Sequence, residues 1–194
     1  IAATVDVILS RSITGNSIGA KLTIPQGTLF TDSSGNSWLS ARDVTWYSNV
    51  TTCKVPIIQH EKYTASALNN MLIPTGDRVI VHLGTLPNGK YYEQGSMSLQ
   101  IGGETWVLVD TFAKSKPTDK HFMVSVDEAL NPYIMFGDGT FGKKPAAGAK
   151  ITNVVFYLTN GTQGNVKSNT ITSVPSIISS SITDATVSNA YDAG

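Results

Sequence analysis

Phe136-Gly137-Asp138-Gly139-Thr140-Phe141-Gly142-Lys143-Lys144-Pro145 is the stretch on which the reading of this chain turns. Glycines fill three of the six positions from 137 to 142, between an apolar run ending at Phe136 and a proline. The backbone must therefore bend sharply more than once. Asp138, flanked by glycines, is placed to accept hydrogen bonds from neighbouring amides and hold the bend. Gly137 and Gly139 are expected at positive φ. Such a stretch is either a cradle for a ligand or a rigid corner between strands.

The cradle reading fails on context. Gly137 to Lys143 satisfies G-x-x-x-x-G-K, the first part of a phosphate-binding loop, but Lys144 stands where a magnesium-binding Ser or Thr is required. Pro145-Ala146-Ala147-Gly148 follows, where a sustained helix would have to face the phosphates. Calcium is no better served: Asp138 is the one carboxylate of the segment, and calcium takes six or more oxygens. The corner remains.

Working outward, period-two alternation dominates. Val5, Val7 and Leu9 alternate with Asp6, Ile8 and Ser10, the pattern of a strand with one buried face. Short strands separated by turns follow: Ile24-Pro25-Gln26-Gly27-Thr28-Leu29-Phe30, then a turn at Asp32-Ser33-Ser34-Gly35-Asn36, then Trp38-Leu39 and Val44-Thr45-Trp46-Tyr47. Pro56 interrupts a β-branched run over 50–59, which predicts an edge position or a break in the ladder. The pattern weakens from His60 to Met71, where Tyr63 to Leu68 is expected as a loop or short helical turn. It returns with Val79, Val81 and Leu83 on one face. Met97, Leu99 and Ile101, then Gly102-Gly103, then Trp106-Val107-Leu108-Val109 spell a hairpin. After a polar loop over 113–119, Phe122, Val124 and Val126 lead to Tyr133-Ile134-Met135-Phe136 and the corner. Val154, Phe156 and Leu158 follow it, and residues 170–187, with Pro175 inside, read as an edge strand or extended connector. The fold class is mainly β: one or two small antiparallel, sandwich-like domains. Residues 1–59 with 146–180 are expected to form the main domain, 60–145 an inserted lobe ending in the corner, and 181–194 a connector to a part of the chain beyond Gly194.

Composition narrows the partners. The chain has 194 residues, enough for one substantial domain or two small ones. Charged residues make up 14%, against roughly 25% in typical soluble domains, and Ser, Thr, Asn and Gly supply the polar surface. With 14 basic and 14 acidic residues and no basic stripe, nothing draws a nucleic acid or an anionic membrane. No apolar run nears the roughly 20 residues of a membrane-spanning helix.

The candidate chemistry dissolves on inspection. Gly15-Asn16-Ser17-Ile18-Gly19 matches a nucleophile elbow, but Lys21 to Ile24 alternates like a strand where that motif needs a helix. His60, His82 and His121 have no second ligand at metal spacing. Asp127 and Glu128 are adjacent, so on a strand they face opposite ways. Cys53, the single cysteine, reads as a small buried hydrophobe. Trp38, Trp46 and Trp106 read as packing residues, with a sugar-stacking platform as the alternative.

Three motifs in order carry a family resemblance: Ile24-Pro25-Gln26-Gly27-Thr28-x-Phe30; Phe136-Gly137-Asp138-Gly139-x-Phe141-Gly142-x-x-Pro145-x-x-Gly148; and Gly161-x-x-Gly164-Asn165-Val166. Together they make the chain, over about residues 20 to 190, resemble the baseplate J-like family, the wedge proteins of contractile phage tails and related contractile injection particles. The resemblance implies a non-enzymatic structural subunit of a virion baseplate, assembled in the bacterial host cytoplasm. It implies no cofactor, metal, nucleic acid, membrane or small-molecule substrate. Its expected partners are other wedge proteins and further copies of the chain itself. Phe136, Gly137, Asp138, Gly139, Gly142, Pro145, Gly164 and Asn165 are the implied structural motif. Residues 60–120 carry none of its motifs. The other function considered is an extracellular adhesin or carbohydrate-binding β domain, suggested by the tryptophans and the Ser/Thr-rich surface.

Overall fold

A computed structural model describes residues 2–12, 21–65 and 70–194, and the described chain is mainly β. Ser17 and its flanking glycines, and residues 66–69 of the expected loop or helical turn, lie outside the described residues. The chain divides into two compact units, Ile1–Glu61 with Thr159–Gly194, and Lys62–Leu158.

In the first unit, β1 (Thr4–Ser10) lies between β6 (Thr52–Ile58) and β15 (Thr186–Asn189) in a five-stranded sheet. The sheet continues from β6 through β4 (Ser37–Ser40) to β3 (Leu29–Thr31). Alternation decides which residues point inward. Val7 and Leu9 of β1 stand opposite Val55 and Cys53 of β6, and all four are buried. A separate pair, β2 (Lys21–Ile24) with β5 (Val44–Tyr47), adds Ile24 and Trp46 to the same core. Ile171, Ile178 and Ile182 complete it from the C-terminal segment, which holds a short helix at Ser176–Ser179.

The second unit is one sheet in the order β7-β14-β10-β11-β12-β13-β8, with β9 (Tyr91–Tyr92) pairing off β14. Its strands are β7 (Glu61–Thr64), β8 (Ile80–His82), β10 (Ser98–Ile101), β11 (Glu104–Leu108), β12 (His121–Val126), β13 (Pro132–Phe136) and β14 (Ile151–Thr159). The expected hairpin is β10–β11, with Leu99 opposite Trp106 and the Gly102-Gly103 turn at positive φ at both positions. The β10–β11, β10–β14, β12–β13 and β13–β8 pairings are antiparallel, while β11–β12 runs parallel across the polar loop. Leu99, Ile101, Trp106, Phe122, Ile134, Phe136, Phe156 and Leu158 fill the core.

Several boundaries differ from the sequence reading. Residues 146–158 belong with the inserted lobe, because β14 pairs with β10 and β7 there, so the corner lies inside the lobe and does not end it. The 181–194 segment is not merely an extended tail but part of the first unit's fold: β15 pairs with β1, and Val187 and Ala193 enter the first core. Tyr63 and Thr64 are strand, not loop. Pro56 sits in an interior strand, yet at a break in one ladder. Its carbonyl accepts from Ala41 on the β4 side, where the β4 pairing covers only Ile57 and Ile58. Asp127 and Glu128 lie in the β12–β13 turn and not on a strand, and Asp127 accepts there from the amides of Ala129 and Asn131.

Candidate functional site

The corner begins where β13 ends. Phe136 is buried, its amide donates to the Val79 carbonyl at 3.1 Å, and its ring meets Trp106 edge-on at 5.3 Å. The strand is thereby anchored up to its last residue, and the bend has to be made immediately beyond it.

Gly137 makes the bend by close approach. A Cβ there would lie 2.3 Å from the carbonyl carbon and oxygen of Gly142, well inside any contact real atoms tolerate. Gly137 is not among the positive-φ residues, so the expected reason for its being glycine is corrected. The two arms of the loop touch backbone to backbone, and no side chain fits between them. Gly139, by contrast, has φ +93 as expected, with an added Cβ meeting nothing closer than 3.8 Å. Gly142 also has positive φ and packs against Phe112.

Asp138 closes the turn. One carboxylate oxygen accepts from the amides of Thr140 at 2.8 Å and Phe141 at 2.9 Å, while the Gly139 amide donates to the Gly142 carbonyl at 3.0 Å. The Phe141 and Thr140 amides, with a smaller contribution from the charge of Arg78, hold the Asp138 carboxyl below its ordinary value. Lys143 continues the path by donating its amide to the Asp119 carbonyl at 2.7 Å. Pro145 is buried, and Gly148 donates to the Ile73 carbonyl as the chain heads into β14.

This arrangement bears directly on anion binding. A phosphate cradle needs several amides converging on open space. Here the amides of 139, 140, 141 and 143 already have acceptors within the protein. The carboxylate of Asp138 sits where an anion would have to go.

Gly164 and Asn165 belong to the first unit and are not part of the corner. Gly164 lies in a 3-10 turn, Gly161–Gly164, where a Cβ would come within 2.7 Å of the Gln59 side-chain oxygen. That oxygen accepts from the Asn160 amide at 2.8 Å, and Gln59 is fully buried. Asn165 is exposed and caps the turn with its backbone, its amide donating to the Thr162 carbonyl.

Among the described residues, the remaining candidates do not assemble into a reactive centre. His121 shares a hydrogen bond with Ser115 at 2.8 Å, and His82 packs on Tyr133. Burial pushes the Cys53 thiol up, away from reactivity. Among the described residues no three His, Cys, Asp or Glu side chains stand together as metal ligands, and no helix is long and apolar enough to cross a membrane. Trp38 and Trp46 are fully buried and Trp106 is 4% exposed, so all three pack.

Two polar residues passed unnoticed in the sequence. Arg11 is buried with its guanidinium donating to the carbonyls of Tyr47 and Val50 and lying 5.0 Å from the centre of the Trp46 ring. Asn189, fully buried, accepts from the amides of Thr170 and Ile171 and donates to the carbonyls of Lys167 and Tyr191. Only a lone cation between two strand signals marked the first, and nothing marked the second. A comparison of the chain with protein-family models and with curated proteins returns no match in either.

Proposed function

We propose that this chain is a structural subunit of a contractile phage tail baseplate, a wedge protein that assembles with other baseplate proteins and with copies of itself in the virion. The observation that carries this reading is the ordered motif series centred on the Phe136-Gly137-Asp138-Gly139 corner, together with the kind of work its residues do. Gly137 permits backbone contact, Asp138 ties down two amides, and Pro145 is buried. These are the tasks of a scaffold, in which a rigid bend presents a surface to neighbours.

The low charge supports the same reading, since the cores of protein interfaces are poor in Lys, Glu and Asp. So do the exposed apolar residues of the second unit, Ile80, Val107, Leu130 and Phe141 among them, each more than 40% exposed. The tryptophans that suggested a sugar-binding surface are packed in the two cores.

The test is incorporation. Affinity-tagged chain produced during tail assembly is expected to purify with particles containing tail tube and sheath, and Gly137→Ala is expected to be lost from them. Turnover of a substrate at the corner, or phosphate bound to its amides in a titration, would overturn the reading.

A further inference from the structure

At three places the sequence sets a glycine after a side chain that can close on it: Asn88-Gly89, Asp138-Gly139 and Asn160-Gly161. Glycine has no Cβ to shield its own amide nitrogen. That nitrogen can therefore attack the carbonyl carbon of the preceding side chain, a ring closure favoured because both groups sit on adjacent residues. The reaction needs a side chain free to turn and an amide that no acceptor in the protein holds. The fold meets both conditions at one of the three.

Asn160 is protected. It is 8% exposed, its side-chain nitrogen donates to the Asn36 side-chain oxygen, and the Gly161 amide donates to the Thr159 hydroxyl at 3.3 Å. Asp138 is protected too. Its carboxylate is tied down by the amides of Thr140 and Phe141, and the Gly139 amide donates to the Gly142 carbonyl. The same two amides favour the ionised form, which is a poor target for a nucleophile.

Asn88 has neither restraint. Asn88 and Gly89 are both exposed at the centre of a turn whose closing bond, from the Lys90 amide to the Pro87 carbonyl at 3.0 Å, uses neither of them. Among the described residues, nothing bonds the Asn88 carboxamide or the Gly89 amide.

We propose that Asn88 is a site of spontaneous deamidation, with water as the co-reactant. The Gly89 nitrogen gives its proton to solvent base and adds to Cγ of Asn88. The Cγ–Nδ2 bond breaks, and the nitrogen leaves as ammonia after taking up a proton. Water then opens the five-membered imide at either carbonyl, leaving Asp or isoAsp at position 88, with no oxidation or reduction. The product carries a carboxylate where a neutral group stood, so a chain with 14 basic and 14 acidic residues becomes net negative. IsoAsp also lengthens the backbone by one carbon just ahead of β9. This chemistry is independent of the particle the chain enters.

The test is incubation of the folded chain in heavy-oxygen water at mildly alkaline pH, followed by protease mapping with mass spectrometry that separates Asp from isoAsp products. A parallel sample in urea removes the fold. In the folded chain the Asn88 peptide is expected to take up heavy oxygen on the order of a hundredfold faster than the Asn160 peptide, which must wait for buried, hydrogen-bonded structure to open. In urea the two should convert at similar rates. Asn88→Gln, with its melting transition recorded to show that it is folded, should lose the acidic species that isoelectric focusing detects in the aged wild-type chain. Equal rates at Asn88 and Asn160 in the folded chain would overturn the proposal. So would an Asn88 that converts only in urea, a first conversion at Asn160 or Asp138, or an acidic species that persists in Asn88→Gln.

Discussion

Gly137 and Gly139 are two residues apart and are glycine for different reasons, so their alanine variants separate the two effects. At Gly137 the new methyl meets backbone that has no rotamer to change, and the cost should reach about 3 kcal/mol or more. At Gly139 there is room, and the cost is that of a left-handed conformation, about 1–2 kcal/mol. Denaturant unfolding of the two variants checks the order, and equal losses would refute the close approach. Asp138 adds a pH dependence whose sign follows from its lowered value in the folded protein. Its contribution is fully present above the ordinary carboxylate pKa of about 4 and fades as the pH falls below that through the depressed value. Amide exchange at Thr140 and Phe141 should therefore accelerate in acid beyond the intrinsic trend. In Asp138→Asn, which keeps an acceptor without a charge, that extra acceleration should vanish.

At the scale of the element, two turns make opposite predictions. The β3–β4 turn is organised by Asp32, which is buried and accepts from the Trp38 indole at 3.0 Å, from the Asn36 side chain at 2.9 Å, and from the amides of Ser34 and Asn36. Burial pushes its carboxyl up, but the bonds from Trp38 and Asn36 together outweigh it and hold the group below its ordinary value. Asp32→Ala leaves the indole N–H of a fully buried Trp38 without an acceptor and should cost about 2–3 kcal/mol in urea unfolding. The β12–β13 turn goes the other way. Leu130 holds φ +63 with its side chain 49% exposed, a left-handed position in which a Cβ is strained. Leu130→Gly should raise stability by about 0.5–1 kcal/mol, read as a higher melting temperature, and a lower one would show that the leucine packs productively.

For the whole molecule, the second unit is a single continuous segment with its own core, and the strands at its two ends, β7 and β14, are neighbours in one sheet. A segment whose termini lie together can be removed without leaving its sheet open. Residues 62–158 expressed alone should fold, and Trp106, the only tryptophan in that span, should report one cooperative transition in guanidinium. A broad, non-cooperative change would mean that the segment needs the rest of the chain. The first unit is interrupted by this insertion and must join residues distant in sequence, as in the pairing of β1 with β15.

How much of this was legible beforehand follows the range of the forces involved. The sequence by itself determined most of the strand-forming stretches, the Gly102-Gly103 hairpin and the Asp138 turn. Alternation and turn chemistry act within a few residues, and they are written where they act. Only the tertiary structure decided that β14 joins the lobe, that the last strand closes on β1, and that Arg11 and Asn189 are buried with most of their bonds supplied by distant backbone. Strand partners are chosen by register and by the apolar faces that meet, which depend on segments far apart in the chain. The corner shows both kinds of determination at once. The bond from Asp138 to its neighbours could be read from three adjacent residues, while the need for glycine at 137 arises because Gly142 is folded back against it, leaving no space for a single methyl group.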